Sequence, residues 1–237
     1  MIGRAWLAGP DGSHGPHVFV ADLDAPVLGD DDRRHLSGSL RLRPGDPLTL
    51  SDGRGAWRRA HFGAEIVPDG SIETVPVATP TVTVAFALVK GARPELVVQK
   101  LTELGVDRII PFTAARSVVR WDDGKVRKGH ARLTRVAREA AMQSRQVRLP
   151  RVDPATDFAT VACLPDAVLA ERGGDPISLA RPTVLVGPEG GWSEGELATV
   201  AGRVGLGPGV LRSETAAIAT ATTLTALRAG VLASHEE

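Results

Sequence analysis

From Thr81 onward, apolar runs of strand length alternate with capped helical stretches, and that rhythm limits the possible folds more than any other feature of the chain. "TVTVAFALV" (81–89) is a buried-strand run. "RPELVVQKLTELG" follows as a helix, with Pro94 in its first turn and Gly105 just past its end. "VDRIIPF" predicts another strand, residues 124–146 a long basic helix, and "AVLAE" (167–171) and "PTVLVG" (182–187) two more short strands. Ser193 with Glu196 three residues later makes a capping box for the next helix. A last helix carries apolar or small residues at 217, 220, 224, 227 and 231. Strands alternating with helices pack as a parallel sheet covered on both faces, so an α/β domain is expected over residues 77–237.

The first 76 residues read differently. "HVFVADL" (17–23), "DPLTLSD" (46–52), "AWRRAHFGAEIV" (56–67) and "IETVPV" (72–77) are β-forming runs between Gly, Pro and Asp clusters, a spacing that predicts a small β-barrel. "DDDRRHL" (30–36) adds one or two helical turns, and Pro76 and Pro80 punctuate a linker. A chain of 237 residues suits two such unequal domains. No apolar stretch approaches the roughly 20 residues of a membrane span, and "MIGRAWLAGP" has no signal-peptide core, so a cytoplasmic protein is expected. The single cysteine, Cys163, excludes an internal disulfide framework and reads as a small buried residue. His14 and His17 have no cysteine partners, and no metal site is expected. Trp192, beside a glycine loop, reads as packing.

Net charge is zero, but its distribution is uneven. Residues 81–150 hold 14 Lys/Arg against 6 Asp/Glu, while both flanking segments are acidic. Arg127, Lys128 and Arg132 stand in that basic stretch, which suits either a phosphate backbone or a solvated helix face.

The chemistry concentrates in "VLVGPEGGWSEG" (184–195). A phosphate-cradling P-loop needs a lysine that is missing here, and Pro188 breaks the spacing of a dinucleotide fingerprint. A second stretch, "LGPGVLRSETAAIATA" (206–221), again puts glycines before a helix start. Two such loops at the carboxyl edge of one parallel sheet can wall a crevice. Their main chain suits a flat ring and a polar tail, Leu206, Val210 and Leu211 offer apolar contact, and Ser213 and Thr215 put hydroxyls and amides at a helix start.

"LVGPEGGWSEGEL" with "LGPGVLRSETA" resembles the paired signature of the bacterial 16S rRNA (uracil-N3)-methyltransferases, a family of the SPOUT class. "KGARPELVVQKLTELGVDRIIPFTAARSVV" is similar to the family's first stretch and "MQSRQVRLP" to its middle one, while "GRAWL" and "RHLSGSLRLRPGD" resemble its N-terminal PUA-type RNA-binding domain. The resemblance covers nearly the whole chain. It implies a deep trefoil knot in the C-terminal domain, S-adenosylmethionine as cofactor, a homodimer, and a 16S rRNA substrate in the decoding region of the small subunit. The cofactor would lie against Val186, Gly187, Pro188, Glu189, Gly190, Gly191, Leu206, Gly207, Leu211, Arg212, Ser213, Thr215 and Ala216. RNA contacts would fall on Arg4, Arg41, Arg43, Arg127, Lys128, Arg132, Gln143, Arg145 and Arg148. The chain departs from the family pattern at Gly209, where an arginine is usual, and at Met142 and Gln146 in the middle stretch.

Uracil N3 is a poor nucleophile until its proton leaves, so the enzyme must favour the uracil anion by a base, by a cation, or both. A guanidinium stays charged and bonds two acceptors at once, which makes Arg116 the first catalytic candidate and Arg212 the second. Glu189 and Glu214 are the carboxylates nearest the glycine loops, and Glu189 is the third candidate. Methylation of a ribose hydroxyl or another base, and a non-catalytic ribosome-binding module, are the alternatives.

Overall fold

The computed structural model describes residues 9–91 and 93–233 and resolves into two units. The first takes the chain up to Val77 together with Arg138–Leu149. Its four strands, β1 (His17–Phe19), β2 (Pro47–Ser51), β3 (Ala56–His61) and β4 (Val67–Thr74), form one sheet in that order. β1 pairs with β2 in parallel and the other two pairings are antiparallel, so the sheet is mixed. The third run expected from the sequence is divided here. Phe62 and Ile66 both turn into the core around Gly63, and β4 begins at Val67 instead of near residue 72. "DDDRRHL" supplies α1 (Asp30–Arg34), with three acids in its first turn and two arginines in its last, the polarity that the helix dipole favours.

A core of Val18, Val20, Leu23, Leu28, Leu36, Leu48, Leu50, Ala60, Phe62 and Ile66 holds this unit together. The 138–149 segment is sewn to it. Arg138 pairs with Asp32 at 2.6 Å, the Ser51 hydroxyl donates to the Val147 carbonyl at 2.9 Å, and Leu149 N–H donates to the Gly53 carbonyl at 2.9 Å. Met142 packs on the same core, which gives that departure from the family pattern a packing role.

The second unit is built on a parallel sheet ordered β11-β9-β10-β5-β6-β7, with β8 also paired to β6. Its strands are β5 (Thr83–Ala87), β6 (Arg108–Thr113), β7 (Arg151–Val152), β8 (Thr156–Asp157), β9 (Ala167–Pro176), β10 (Thr183–Val186) and β11 (Gly202–Gly205). Every pairing is parallel. Alternate side chains along a strand point to opposite faces, and both faces are apolar here. Val84, Phe86, Val184 and Val186 join one core cluster with residues of α2 (Arg93–Glu103), α3 (Asp123–Gln143) and α6 (Ser213–Arg228). Ala85, Ala87 and Leu185 join the other, with Val161 of α4 (Phe158–Ala162) and Leu197 of α5 (Glu194–Thr199). The doubly covered α/β sheet expected from the sequence is therefore present.

Three details correct the sequence reading. The apolar stripe of the last helix stops at α6's end, and Val231, 67% exposed, lies past it. Cys163 is exposed, because it caps the short α4 instead of entering the core. β7, β8 and β11 went unpredicted, being two to four residues long and poor in β-formers. Among the described residues, no helix is long and apolar enough to cross a membrane.

Candidate functional site

β10 and β11 run in the same direction, so the loops that follow them leave the sheet at one edge. The first loop is locked from beneath. Trp192 is buried, stacks on Phe112 with ring centroids 6.1 Å apart and planes 4° from parallel, and donates its indole N–H to the Ala170 carbonyl at 3.0 Å. A Cβ on Gly187 would come within 2.9 Å of that indole, so only glycine lets the strand exit close over the ring. Gly191 closes the turn at φ +69°, a conformation glycine adopts without steric cost, and its N–H donates to the Pro188 carbonyl at 2.9 Å. Trp192 is thus a packing residue, as the sequence suggested.

The expected capping box is present, and it does more than start α5. Ser193 and Glu196 exchange hydrogen bonds, and the buried Glu196 also accepts from the Ala115 N–H at 2.8 Å. That bond fixes the segment leaving β6, which carries Arg116. The exposed Arg116 reaches the same glycine loop, donating to the Gly190 carbonyl at 3.2 Å. Gly190 faces this arginine: an added Cβ would lie 3.3 Å from the Arg116 Cβ.

The second loop is tied to the first. Ser213, buried at the start of α6, donates its hydroxyl to the Gly187 carbonyl at 2.6 Å. A second tie comes from a residue that sequence reasoning missed. Arg93, opening α2, donates to Glu189 at 2.7 Å, and its Nε lies 3.8 Å from a Glu214 carboxylate oxygen. Glu214's other oxygen is buried, with no donor among the described residues. An acid in the first glycine loop and another in the first turn of α6 call for a cation between them, but nothing in the sequence says which one.

Of the cofactor positions read from sequence, Val186 ends a buried strand, and Gly187 through Gly191 form the first loop. Leu206, Gly207 and Leu211 lie in the second loop, with Gly207 at φ +126°. Arg212, Ser213, Thr215 and Ala216 cap and begin α6. Val210 and Leu211 show 86% and 38% of their surface to solvent beside this open main chain. Large apolar side chains exposed next to unencumbered glycine backbone are the chemistry expected of a cradle for a partly apolar small molecule. The tethers, the glycine backbone and these leucine and valine faces fit S-adenosylmethionine, a flat adenine ring with a charged tail.

A recess of about 140 Å³ opens at the same edge, lined among others by Lys90, Arg93, Arg116, Pro188, Glu189 and Gly190. A larger recess of about 430 Å³, lined by Gly173–Asp175, Arg181 and Ala201–Arg203, shares none of these residues and none of the glycine-loop chemistry.

The basic residues are distributed more widely. Arg127, Lys128 and Gln143 are exposed on α3, and Arg132 is exposed but pairs with Glu95 at 2.7 Å. Arg41 and Arg43 are exposed in the N-terminal unit, and Arg4 lies outside the described residues. Arg145 donates to the Gly15 carbonyl at 2.6 Å and Arg148 to the Val75 carbonyl at 2.7 Å, so both guanidinia brace the N-terminal unit.

A parallel α/β sheet with two tethered glycine loops at its carboxyl edge defines a small-molecule-binding α/β protein. The family model for RNA methyltransferase domains matches residues 77–225. The ribosomal RNA small subunit methyltransferase E of Mycobacterium bovis is 37% identical over 219 residues, covering 81% of this chain and 82% of that one. Among solved structures, the Neisseria gonorrhoeae ribosomal RNA small subunit methyltransferase E bound to S-adenosyl methionine is similar with TM-score 0.75 at 26% identity, covering 90% of this chain and 98% of that one. A Legionella pneumophila structure with the cofactor SAM bound gives TM-score 0.77 at 27% identity, covering 89% and 96%. The chain belongs to the ribosomal RNA small subunit methyltransferase E family.

Proposed function

We propose that this chain transfers the methyl group of S-adenosylmethionine to N3 of a uridine in the decoding region of 16S rRNA. The observation that carries the reading is the double tether, Ser213 to Gly187 and Arg93 to both Glu189 and Glu214, which makes one cradle of the two glycine loops. Proteins similar over nearly their whole length have S-adenosyl methionine bound. In this reading Gly187–Gly191 and Leu206–Ala216 hold the cofactor through main-chain groups, and the bound sulfonium supplies an activated methyl. Arg116, held by Gly190 and by the Ala115–Glu196 bond, supplies positive charge at the acceptor. Glu189 holds loop geometry through Arg93, a role that its 2.7 Å ion pair supports better than proton abstraction.

The finer features belong to the same proposal. The C-terminal domain begins near residue 77 and carries a trefoil knot. What supports the knot is the resemblance of the two glycine loops, Val186–Gly191 and Leu206–Ala216, to the paired signature of the SPOUT-class family. Residues 1–76 form a PUA-like RNA-binding domain, two copies of the chain associate, and the protein works in the cytoplasm on the small subunit. Arg41, Arg43, Arg127 and Lys128 are exposed cations suited to phosphate contacts. Methylated small-subunit RNA, digested to nucleosides, tests the activity. 3-Methyluridine appears when the purified protein and cofactor are added, whereas a 2'-O-methylated nucleoside or no new product refutes the assignment.

A further inference from the structure

The geometry points to the 140 Å³ recess as the subsite for the target uracil, and to Lys90 as a second cation that stabilises its N3 anion. This rests on the uridine-N3 reading and names a part of the site that reading leaves open. The recess, about 140 Å³ and open to solvent on one side, is of a scale to seat a single planar ring.

Its lining is mixed. Leu88, Val89, Val118 and Val119 are apolar, Lys90, Arg93 and Arg116 are cationic, and the one acid, Glu189, is paired with Arg93. A phosphate asks for polar contacts on all sides, whereas a deprotonated pyrimidine asks for apolar faces and positive charge at its edge oxygens. The cations are not equivalent. Arg93 is engaged by Glu189 and Glu214, and Arg116 leans on Gly190. Lys90 is exposed, and no carboxylate among the described residues pairs with it. Pro188, Glu189 and Gly190 belong both to this recess and to the cofactor loop, so a base here adjoins the methyl donor.

The step balances without a dedicated carboxylate base. The N3 proton passes to water, leaving the charge shared between N3 and the two exocyclic carbonyl oxygens, where Lys90 and Arg116 hold it. N3 then forms its bond to the methyl carbon as the carbon–sulfur bond breaks, with that electron pair remaining on sulfur. The products are 3-methyluridine, S-adenosylhomocysteine and one proton in solution.

Lys90→Met is tested on RNA bearing uridine or the more acidic 5-fluorouridine at the target. Methyl transfer to uridine at neutral pH falls by about 10²-fold. The loss on 5-fluorouridine is at least several-fold smaller, Lys90→Arg restores most of the rate, and calorimetric affinity for S-adenosylmethionine is unchanged. Fluorine NMR titration of the bound 5-fluorouridine, which needs no turnover, gives a higher N3 pKa in Lys90→Met than in wild type. Equal losses on both RNAs, or the same N3 titration in both proteins, overturn the subsite. Absence of 3-methyluridine with the wild-type protein sinks the activity reading alone, since the titration still reports on Lys90.

Discussion

Replacing Arg93 by Gln removes a side chain that pairs both with Glu189 of the first glycine loop and with Glu214 in the first turn of α6. The Glu189 pair is short at 2.7 Å, but Glu189 is 59% and Arg93 38% exposed, so its loss costs only about 0.2–1 kcal/mol. Glu214 is the larger concern. Its side chain is 14% exposed, one carboxylate oxygen is buried without a donor, and the Arg93 Nε lies 3.8 Å from the other. Leaving that acid without its cation costs about 1–3 kcal/mol. The combined expectation is about 2 kcal/mol, concentrated where the two loops must keep their spacing. If most of it falls on the cradle, cofactor affinity weakens by about 10- to 30-fold, since 1.4 kcal/mol is tenfold. Calorimetry with S-adenosylmethionine measures this directly, and a cycle with Glu214→Gln isolates the pair. The double variant should bind more tightly than the two single losses predict, by about 1 kcal/mol of coupling. An unchanged dissociation constant for Arg93→Gln, or strict additivity in the cycle, refutes the clamp.

Two further outcomes follow from the geometry. Gly190→Val presses on the Arg116 side chain, since an added Cβ comes 3.3 Å from that of Arg116. Turnover should therefore fall by more than cofactor affinity, and a variant with weak binding but normal turnover contradicts this placement. His17 is buried in the N-terminal unit with its Nδ1 2.9 Å from the Thr49 hydroxyl, and burial first, with the Arg145 charge adding, lowers its pKa to about 4. The unfolded chain binds the proton near pH 6.5 and the folded one near 4, so stability is fully present above 6.5 and drains away as pH falls to 4. The loss is about 3 kcal/mol at most. Denaturant midpoints compared at pH 7 and pH 4.5 should show a drop in wild type and a smaller one in His17→Gln; equal drops refute the assignment.

What the sequence made legible is what local physics enforces. β5 and β10 read as buried strands because both of their faces are apolar, and each face found its own core cluster. α2 is bounded by Pro94 and Gly105, and α5 by the reciprocal bonds of Ser193 and Glu196. What stayed hidden depends on partners far along the chain. The return of residues 138–149 to the N-terminal unit leaves no mark in a helical pattern that is continuous up to Gln143, because the pattern reports an apolar face and not the element that will cover it. The sequence likewise treated Arg145 and Arg148 as free cations, although the carbonyls that hold them lie 130 and 73 residues away. Arg93 is the sharpest case. Its partners stand 96 and 121 residues downstream, one in the first glycine loop and one at the start of α6, and ion pairs between distant segments have no sequence period by which to find them. The glycine loops announce that a ligand approaches the backbone, but the spacing between them is set by a serine hydroxyl and a guanidinium that only the folded sheet brings into reach. It follows that mutations at Arg93 and Ser213, outside the glycines themselves, should separate cradle geometry from backbone contact in any measurement of cofactor binding.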